Sequence, residues 1–572
     1  MLLAQIASSA SVTICMLVDS IMIGQFLGVD AVAAYGIASP VLFVFAAIGA
    51  LMSTGIQVVC SRSISKGDTK TTNNCYTAAI LLALTVSVIG LLVVYFFTGS
   101  ICSLLGAQPG TRVFDLTGRY LRGFMFGAPS FILSQILVPF MLLSNNRSRL
   151  VVAVLVMSVS DIAMDFLNVI LFKGGMFGMG AASALSYYFA LIIAAFYLFS
   201  KDCLYKFDIK GFRLRNCAEM LRNGIPTAVN QLCYTGQVFI INQILLSGGH
   251  SDAVAVYSVL STLGALCFSA GAGIGSVALS LAGVFHVEED RHSIYELVNV
   301  FVRFAIWIDL ALTVVLVLIS RLMMGMFISG SEGLLDFGTM ALRIFLLCLL
   351  PSSLNSSFKN YYLGIERIRF SEVISFLQNL LFPVLAALLM YFTAGVGGIW
   401  FCFLIGETLT LLTICVVVWI RSGHVSFKAP DFALLEPDFG VSDDDVMDIP
   451  IETAEDVSRV SEEASSFCAG HGGDKRTCSR LALCIEEIGI NIIKHGFSDG
   501  KDHNMQLRII KKDDTWMIGF RDDCKGFDPV KYKKKQVLDN SFSMLGLRLV
   551  FETASDIRYV NALGLNNLTI TL

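Results

Sequence analysis

The chain has 572 residues, 55% of them hydrophobic and 15% charged, with a mean hydropathy of +0.71. Soluble domains carry about 25% charged residues, so most of this chain cannot face water, and its length exceeds that of one compact domain. A formal net charge of −4 gives no basis for nucleic-acid binding, and the fifteen cysteines, scattered through apolar segments with no Cys-x-x-Cys pair, read as small hydrophobes.

Met1–Leu27 has no basic leader and runs straight into a span-length apolar stretch, so no cleavable signal is expected. Apolar stretches of about 20 residues, each able to cross about 30 Å of hydrocarbon, recur as far as residue 420. They begin near residues 2, 33, 77, 118, 150, 179, 224, 253, 300, 338, 372 and 396, which predicts about twelve membrane helices. The connections alternate in charge. One set holds Arg62, Lys66 and Lys70, then Arg147 and Arg149, then Lys201 to Arg222, then Lys359, Arg367 and Arg369. The other offers little beyond Arg112, Lys173 and Arg321. The positive-inside bias makes the first set cytoplasmic, and an even number of spans puts both termini on that side of the inner (plasma) membrane.

Asp30-Ala-Val-Ala-Ala-Tyr35 returns as Asp252-Ala-Val-Ala-Val-Tyr257, and the same offset aligns Gly49-Ala50 with Gly271-Ala272. Six spans separate the copies, so both halves enter from one side as a parallel repeat. Two six-helix lobes are expected, over residues 1–210 and 211–421.

An acid within a span costs a few kcal/mol, so it needs a partner, water or a proton. Asp19, Asp161, Asp165, Asp309 and Glu407 are such acids. Asp161 and Asp165 are four apart on one helix face, where two carboxylates cannot both stay charged cheaply without a shared proton or a cation such as Na⁺. Holding neighbouring helices by hydrogen bonds is the alternative. It carries equal weight for Asp309, read as near its span's cytoplasmic end, and for Glu407.

Over residues 1–421 the chain resembles the multidrug and toxic compound extrusion (MATE) family. The resemblance rests on Val18-Asp19, Gly24, Ala33-Ala34 and Pro40, and on Asp161-x-x-x-Asp165 where the family often shows Asn-x-x-x-Asp. Gly180-Ala181-Ala182, Gly224-x-Pro226 and Gly397-Gly398-Ile399-Trp400 extend it. It implies an antiporter that exports small amphipathic cations as H⁺ or Na⁺ enters through Asp19, Asp161 and Asp165. Asp161 adds a charge to the usual pattern, the seventh and tenth spans lack the acids of some relatives, and the first lacks an early proline.

Ser422–Pro450 carries three prolines and an Asp443-Asp444-Asp445 run, and reads as a linker over 422–445. Beyond it, 446–572 is ordinary soluble protein. A helix around Cys478–Lys494 and strands at Met505–Ile510, Trp516–Phe520 and Leu568–Leu572 predict an α/β sandwich. Glu487, Asn491 and His495 follow at four-residue steps on one helix face. A carboxylate and an amide there suit an ATP site, Asn as a Mg²⁺ ligand and Glu as a base. Arg521-Asp522-Asp523-Cys524-Lys525-Gly526 forms an acidic turn, and Gly546 opens a helix whose N–H groups suit phosphate.

In this order the pieces resemble the histidine-kinase-like ATPase fold, specifically the RsbW/SpoIIAB-type anti-sigma serine kinase branch. The resemblance makes Asn491 the Mg²⁺ ligand, Glu487 the base and Asp522 the reader of the adenine amino group, with Gly526 and Gly546 in the glycine boxes. Cys524 replaces a usual Gly, and the second glycine box is reduced to Gly546. A scaffold kept for protein contact after losing ATP is the alternative. Lys531, Lys533, Lys534 and Lys535 read as a solvated loop where an ATP lid would be. His495 belongs to the motif, and the other histidines read as isolated.

The expected protein is therefore an ion-driven antiporter of small molecules in a lipid bilayer, with a cytoplasmic ATP-binding module that regulates or signals. No Walker-type phosphate loop is present to power a pump. Two other classes fit: a membrane-anchored serine kinase with a protein partner such as an anti-sigma-factor antagonist, and a lipid or oligosaccharide flippase.

Overall fold

The computed structural model describes residues 15–572, apart from 66–68, 144–146, 199–205, 208–213, 249, 329–331, 426–427, 437–438, 498–502, 513–514, 525–544 and 563–564. The chain divides into two compact units. The first comprises residues 1–272, 305–359 and 369–414, and the second 273–304, 360–368 and 415–572.

The twelve apolar segments appear as twelve helical elements. In chain order they are α1 (Cys15–Leu27), α2 (Val29–Ser65), α3 (Thr69–Phe96), the bent pair α4 (Arg112–Met125 and Ala128–Leu143), α5 (Arg147–Leu167) and α6 (Gly175–Leu198). The second set is α7 (Leu214–Ser247), the pair α8 (Ser251–Cys267 and Ser269–Val287), α9 (Arg291–Phe327), the bent pair α10 (Glu332–Leu346 and Leu349–Gly364), α11 (Ile368–Phe376 continuing through Phe382–Ile399) and α12 (Cys402–Ser422). Among the described residues, eight helices are long and apolar enough to cross a membrane, or ten with each bent pair as one span. The start of the first segment, read near residue 2, lies outside the described residues, and α7 begins ten residues before the predicted 224 (224 − 214).

Within the first unit the duplicated motif has one role in both halves. Ala31 to Ala34 and Ala253 to Val256 are wholly buried at the starts of α2 and α8. Small side chains there let helices meet backbone to backbone, as small-residue faces do in membranes. Asn242 Nδ2 donates to Gly36 O at 2.9 Å, holding α7 to α2. Gly24 and Gly224 make the same kind of crossing: a Cβ on Gly24 would overlap Phe327 O, and one on Gly224 would overlap Leu51 O.

In the second unit a five-stranded antiparallel sheet runs β1 (Val446–Ile451), β2 (Met505–Lys512), β3 (Thr515–Asp522), β5 (Leu565–Thr571) and β4 (Asp556–Ala562) in spatial order. The helices α13 (Ala454–Gly470) and α14 (Lys475–Gly496) share its core. Leu507, Ile509, Trp516, Ile518, Phe520, Leu568 and Ile570 point into that core at every second position, as the strand period demands. Thr453 and Asp456 form a reciprocal capping box at the start of α13, and Asp474 caps α14 through Thr477 N. The short helix α15 (Leu545–Thr553) closes one end.

The segment read as a linker is structured. It contains a short helix, Ala429–Ala433, whose Phe432 and Ala433 are buried. Tyr362 and Tyr361, at the end of α10, donate their hydroxyls to Phe432 O and Ala433 O, each at 2.9 Å. A buried phenol needs such an acceptor, so the segment is fastened rather than free.

Candidate ion-coupling and nucleotide sites

Asp19 on α1 and Asp161 and Asp165 on α5 come together in the first unit, close enough for their carboxyl groups to interact. All three are buried, Asp165 completely. Ser183 donates to Asp19 Oδ2 at 3.3 Å, whereas Asp19 Oδ1, Asp161 Oδ1 and both Asp165 oxygens have no hydrogen-bond partner among the described residues. Burying unpartnered carboxylate oxygens is costly, so this cluster calls for a proton or a cation. Asp19 and Asp161 line a cavity of about 520 Å³ whose walls include Tyr35, Tyr120, Phe131, Met157, Tyr187 and Gln231. Asp165 is not among the residues that line it. Aromatic and thioether walls with two acids at one side suit a compact apolar body bearing positive charge.

In the C-terminal domain, Glu487 and Asn491 lie one turn apart on α14, and Asn491 Nδ2 donates to Glu487 O at 2.6 Å. That bond leaves the Asn491 amide oxygen for a cation. Gly546, at the N-terminal end of α15, sits directly on the Glu487 carboxylate, and any Cβ there would overlap Glu487 Oε2. Asp522 ends β3 as a buried carboxylate; its Oδ1 accepts from Asn566 Nδ2 at 2.7 Å and Cys524 N at 3.0 Å. Asn566 in turn donates to Cys524 O and accepts from Tyr559. Neither Asn566 nor Tyr559 was signalled by the motifs, because both lie on strands that pair only in the fold. Gly496, the last motif residue, faces Cys524 Sγ, so Cys524 closes the α14–β3 end where a glycine would leave space. Gly526 and the four lysines at 531 and 533–535 lie outside the described residues. Three donors of the right chemistry thus stand at one end of the domain: an amide oxygen, a carboxylate and a helix N-terminus. These groups have the chemistry that a Mg²⁺-nucleotide needs: an oxygen at Asn491, a buried carboxylate at Asp522 and backbone N–H groups at the start of α15.

The histidines are less isolated than they read in sequence. His503 Nδ1 lies 3.0 Å from Asp523 Oδ1, and the His471 ring stacks near Phe467 at 4.2 Å.

Residues 5–167 and 226–388 each match the model of the MatE family, together more than half of the chain. The chain belongs to the MatE family. Residues 451–572 match the histidine kinase-like ATPase domain. Among curated proteins, the multidrug export protein MepA of Staphylococcus saprophyticus is 22% identical over 392 residues, 68% of this chain and 85% of that protein. Among solved structures, an inward-facing multidrug resistance MATE family transporter of the MOP superfamily aligns with a TM-score of 0.67 at 20% identity, over 72% of this chain and 94% of that one. An outward-facing one aligns with a TM-score of 0.56 at 20% identity, over 74% and 94%. These likenesses fix the fold, a multi-pass membrane bundle with a small α/β domain after it.

The two MatE repeats start 221 residues apart (226 − 5), against the 222 of the duplicated Asp-Ala-Val-Ala motif (252 − 30). The first unit of this MatE protein also holds a second polar cluster, in a cavity of about 190 Å³ lined by Asp309, Lys359, Gln378, Ser352 and Glu407 among others. Glu407 is buried and accepts from Asn355 Nδ2 at 2.8 Å and Gln378 Nε2 at 3.0 Å. Lys359, read as a loop cation, lies inside α10 instead. Asp309 sits 18 residues from each end of α9 (309 − 291 and 327 − 309), a helix of 37 residues that is longer than one membrane span needs. Hydropathy alone misplaced Lys359, because a lone charge inside a long helix resembles a boundary.

Proposed function

We propose that this MatE-family protein is an ion-driven exporter of small amphipathic cations, with a C-terminal domain that binds Mg²⁺-ATP and regulates transport. The observation that carries the reading is a set of buried Asp19, Asp161 and Asp165 oxygens, without hydrogen-bond partners among the described residues, beside an aromatic-walled cavity of about 520 Å³. A proton or Na⁺ arriving at the acids and a cationic substrate in the cavity compete for one negative charge, and that competition is the basis of exchange. MepA, a multidrug export protein by name, supports the export part of the reading. The alternating loop charges support cytoplasmic termini in the plasma membrane.

Bound nucleotide would bring its phosphates to α15 and its metal to Asn491, and Glu487 is placed to orient or accept a proton from an attacking hydroxyl. The chain's own residues hold these positions without a phosphate loop, so ATP informs transport and does not drive it.

The test is export of a fluorescent organic cation from vesicles under an imposed H⁺ or Na⁺ gradient. Wild type should show gradient-dependent export and Asp165→Asn should lose it. Absent export in wild type, or unchanged export in the variant, would sink the reading.

A further inference from the structure

The sheet of the C-terminal domain has two faces. One carries α13 and α14; the other is the face of Asp448, Arg508, Lys512 and Arg521. Within the same compact unit, the acidic turn Glu288-Glu289-Asp290, which joins α8 to α9, lies on that second face. Arg521 Nη2 is 2.5 Å from Glu288 Oε2, Lys512 Nζ is 2.5 Å from Glu289 Oε2, and Arg508 Nη1 is 3.4 Å from Asp290 Oδ2. Arg521 also lies over the Phe285 ring, 4.9 Å from its centroid. The side chains of Glu288 and Asp290 are only 5% and 3% exposed, so these are not solvated surface pairs. Glu289 holds a left-handed backbone, φ +50°, which a non-glycine residue adopts only where its surroundings enforce it.

Strand geometry ties this contact to the nucleotide site. Successive side chains of β3 point to opposite faces. Arg521 therefore grips the acidic turn, while its neighbour Asp522 points inward to Asn566 and Cys524 at the end where nucleotide would sit. One peptide unit separates the two.

We propose that the basic face of the sheet is the docking surface for the protein's own acidic turn between α8 and α9, and that nucleotide held at Asp522 is sensed there through Arg521. The proposal rests on the reading of the domain as a nucleotide binder. It names the route of regulation: the turn connects two membrane helices, so its grip biases their cytoplasmic ends. Binding linkage is reciprocal, so whatever nucleotide does to the dock, the dock does to nucleotide affinity.

The experiment uses the purified full-length protein and two readouts. A Glu288→Cys/Arg521→Cys pair is treated with a short bifunctional thiol reagent, and the 288–521 cross-linked peptide is followed by mass spectrometry with and without Mg²⁺-ATP. ATP affinity is measured in wild type, Glu288→Arg, Arg521→Glu and the double swap. The expectation is a cross-link whose rate changes with ATP, and an ATP Kd shifted by about fivefold or more in each single variant and recovered in the swap. No cross-link with or without ATP overturns the dock. A cross-link indifferent to ATP, with wild type binding ATP and unshifted Kd values, overturns the sensing while leaving the nucleotide reading intact. No ATP binding by wild type, with the cross-link formed, overturns the nucleotide reading and the sensing together but not the dock.

Discussion

Gly546 lies against the carboxylate of Glu487 with no room for a methyl group between them. The contact joins the opening of α15 to the middle of α14, two pieces nearly 60 residues apart in sequence (546 − 487), and makes one glycine answerable for the nucleotide site. Replacing Gly546 with Ala must push the helix opening or Glu487 aside. ATP binding by the full-length protein should fall at least about tenfold, as expected for a misplacement of the order of 1 Å in a built site. Calorimetry showing wild-type affinity in this variant would disprove the arrangement.

Asp161 is buried beside Asp19, and its Oδ1 has no hydrogen-bond partner among the described residues. Asp161→Asn should therefore keep gradient-dependent export while reducing the number of ions exchanged per substrate. Asp165→Asn should stop export altogether. Electrogenicity of transport in proteoliposomes separates the two outcomes. Equal loss in both variants would contradict the division of labour.

Glu407 is the acceptor for Asn355 and Gln378. Glu407→Gln keeps a side-chain carbonyl for one of the two amides, whereas Glu407→Leu strands Gln378 Nε2 and leaves Asn355 Nδ2 only the backbone carbonyl of residue 407. Each stranded buried group costs about 1–3 kcal/mol, so the leucine variant should unfold at clearly lower temperature in detergent and the glutamine variant near wild type. A leucine variant as stable as wild type would mean that the cluster holds nothing together.

Gly24 crosses Phe327 at backbone distance. Gly24→Ala must separate α1 from α9 or bend one of them, at a cost of about 1–3 kcal/mol for overpacking. Lowered thermal stability with the C-terminal domain still binding ATP is the expected pattern.

Hydrogen bonds from Arg459, and then from Thr453, hold the exposed Asp456 carboxyl down at about 2. A carboxylate depressed by folding contributes stability that is present above its unfolded value, near 4, and lost as pH falls through the folded one. The first turn of α13 should therefore loosen between about pH 4 and pH 2, seen as faster hydrogen exchange in the 451–460 segment. Asp456→Asn should flatten that dependence.

Much of this was legible in the sequence, for physical reasons. Bilayer thickness dictates the length of apolar runs, so the twelve segments could be recognised, although α7 and α9 begin ten and nine residues before the positions read for them (224 − 214 and 300 − 291) and the start of the first segment lies outside the described residues. The spacing of Glu487, Asn491 and His495 revealed a helix face because the helical period is local. The failures share one cause. β1 carries Pro450 and β4 is polar, and both are strands only because β2 and β5 pair with them. The Glu407 amides come from α10 and α11, which no local pattern connects. The 422–445 segment looked like a spacer because prolines and acids mark turns, while the tyrosines that hold it lie some 70 residues earlier (433 − 361 = 72).

That last feature bears on how the two halves can be taken apart. Tyr361 and Tyr362 belong to the end of a membrane helix, yet their hydroxyls are answered by carbonyls at 432 and 433. Cutting the chain at 421 would remove the two carbonyls to which these phenols donate, and the remaining bundle would suffer for reasons unrelated to ATP. A cut after Leu434 keeps the clasp and removes the sheet. Comparing the two truncated chains separates what the domain contributes as a sensor from what its tether contributes as a brace.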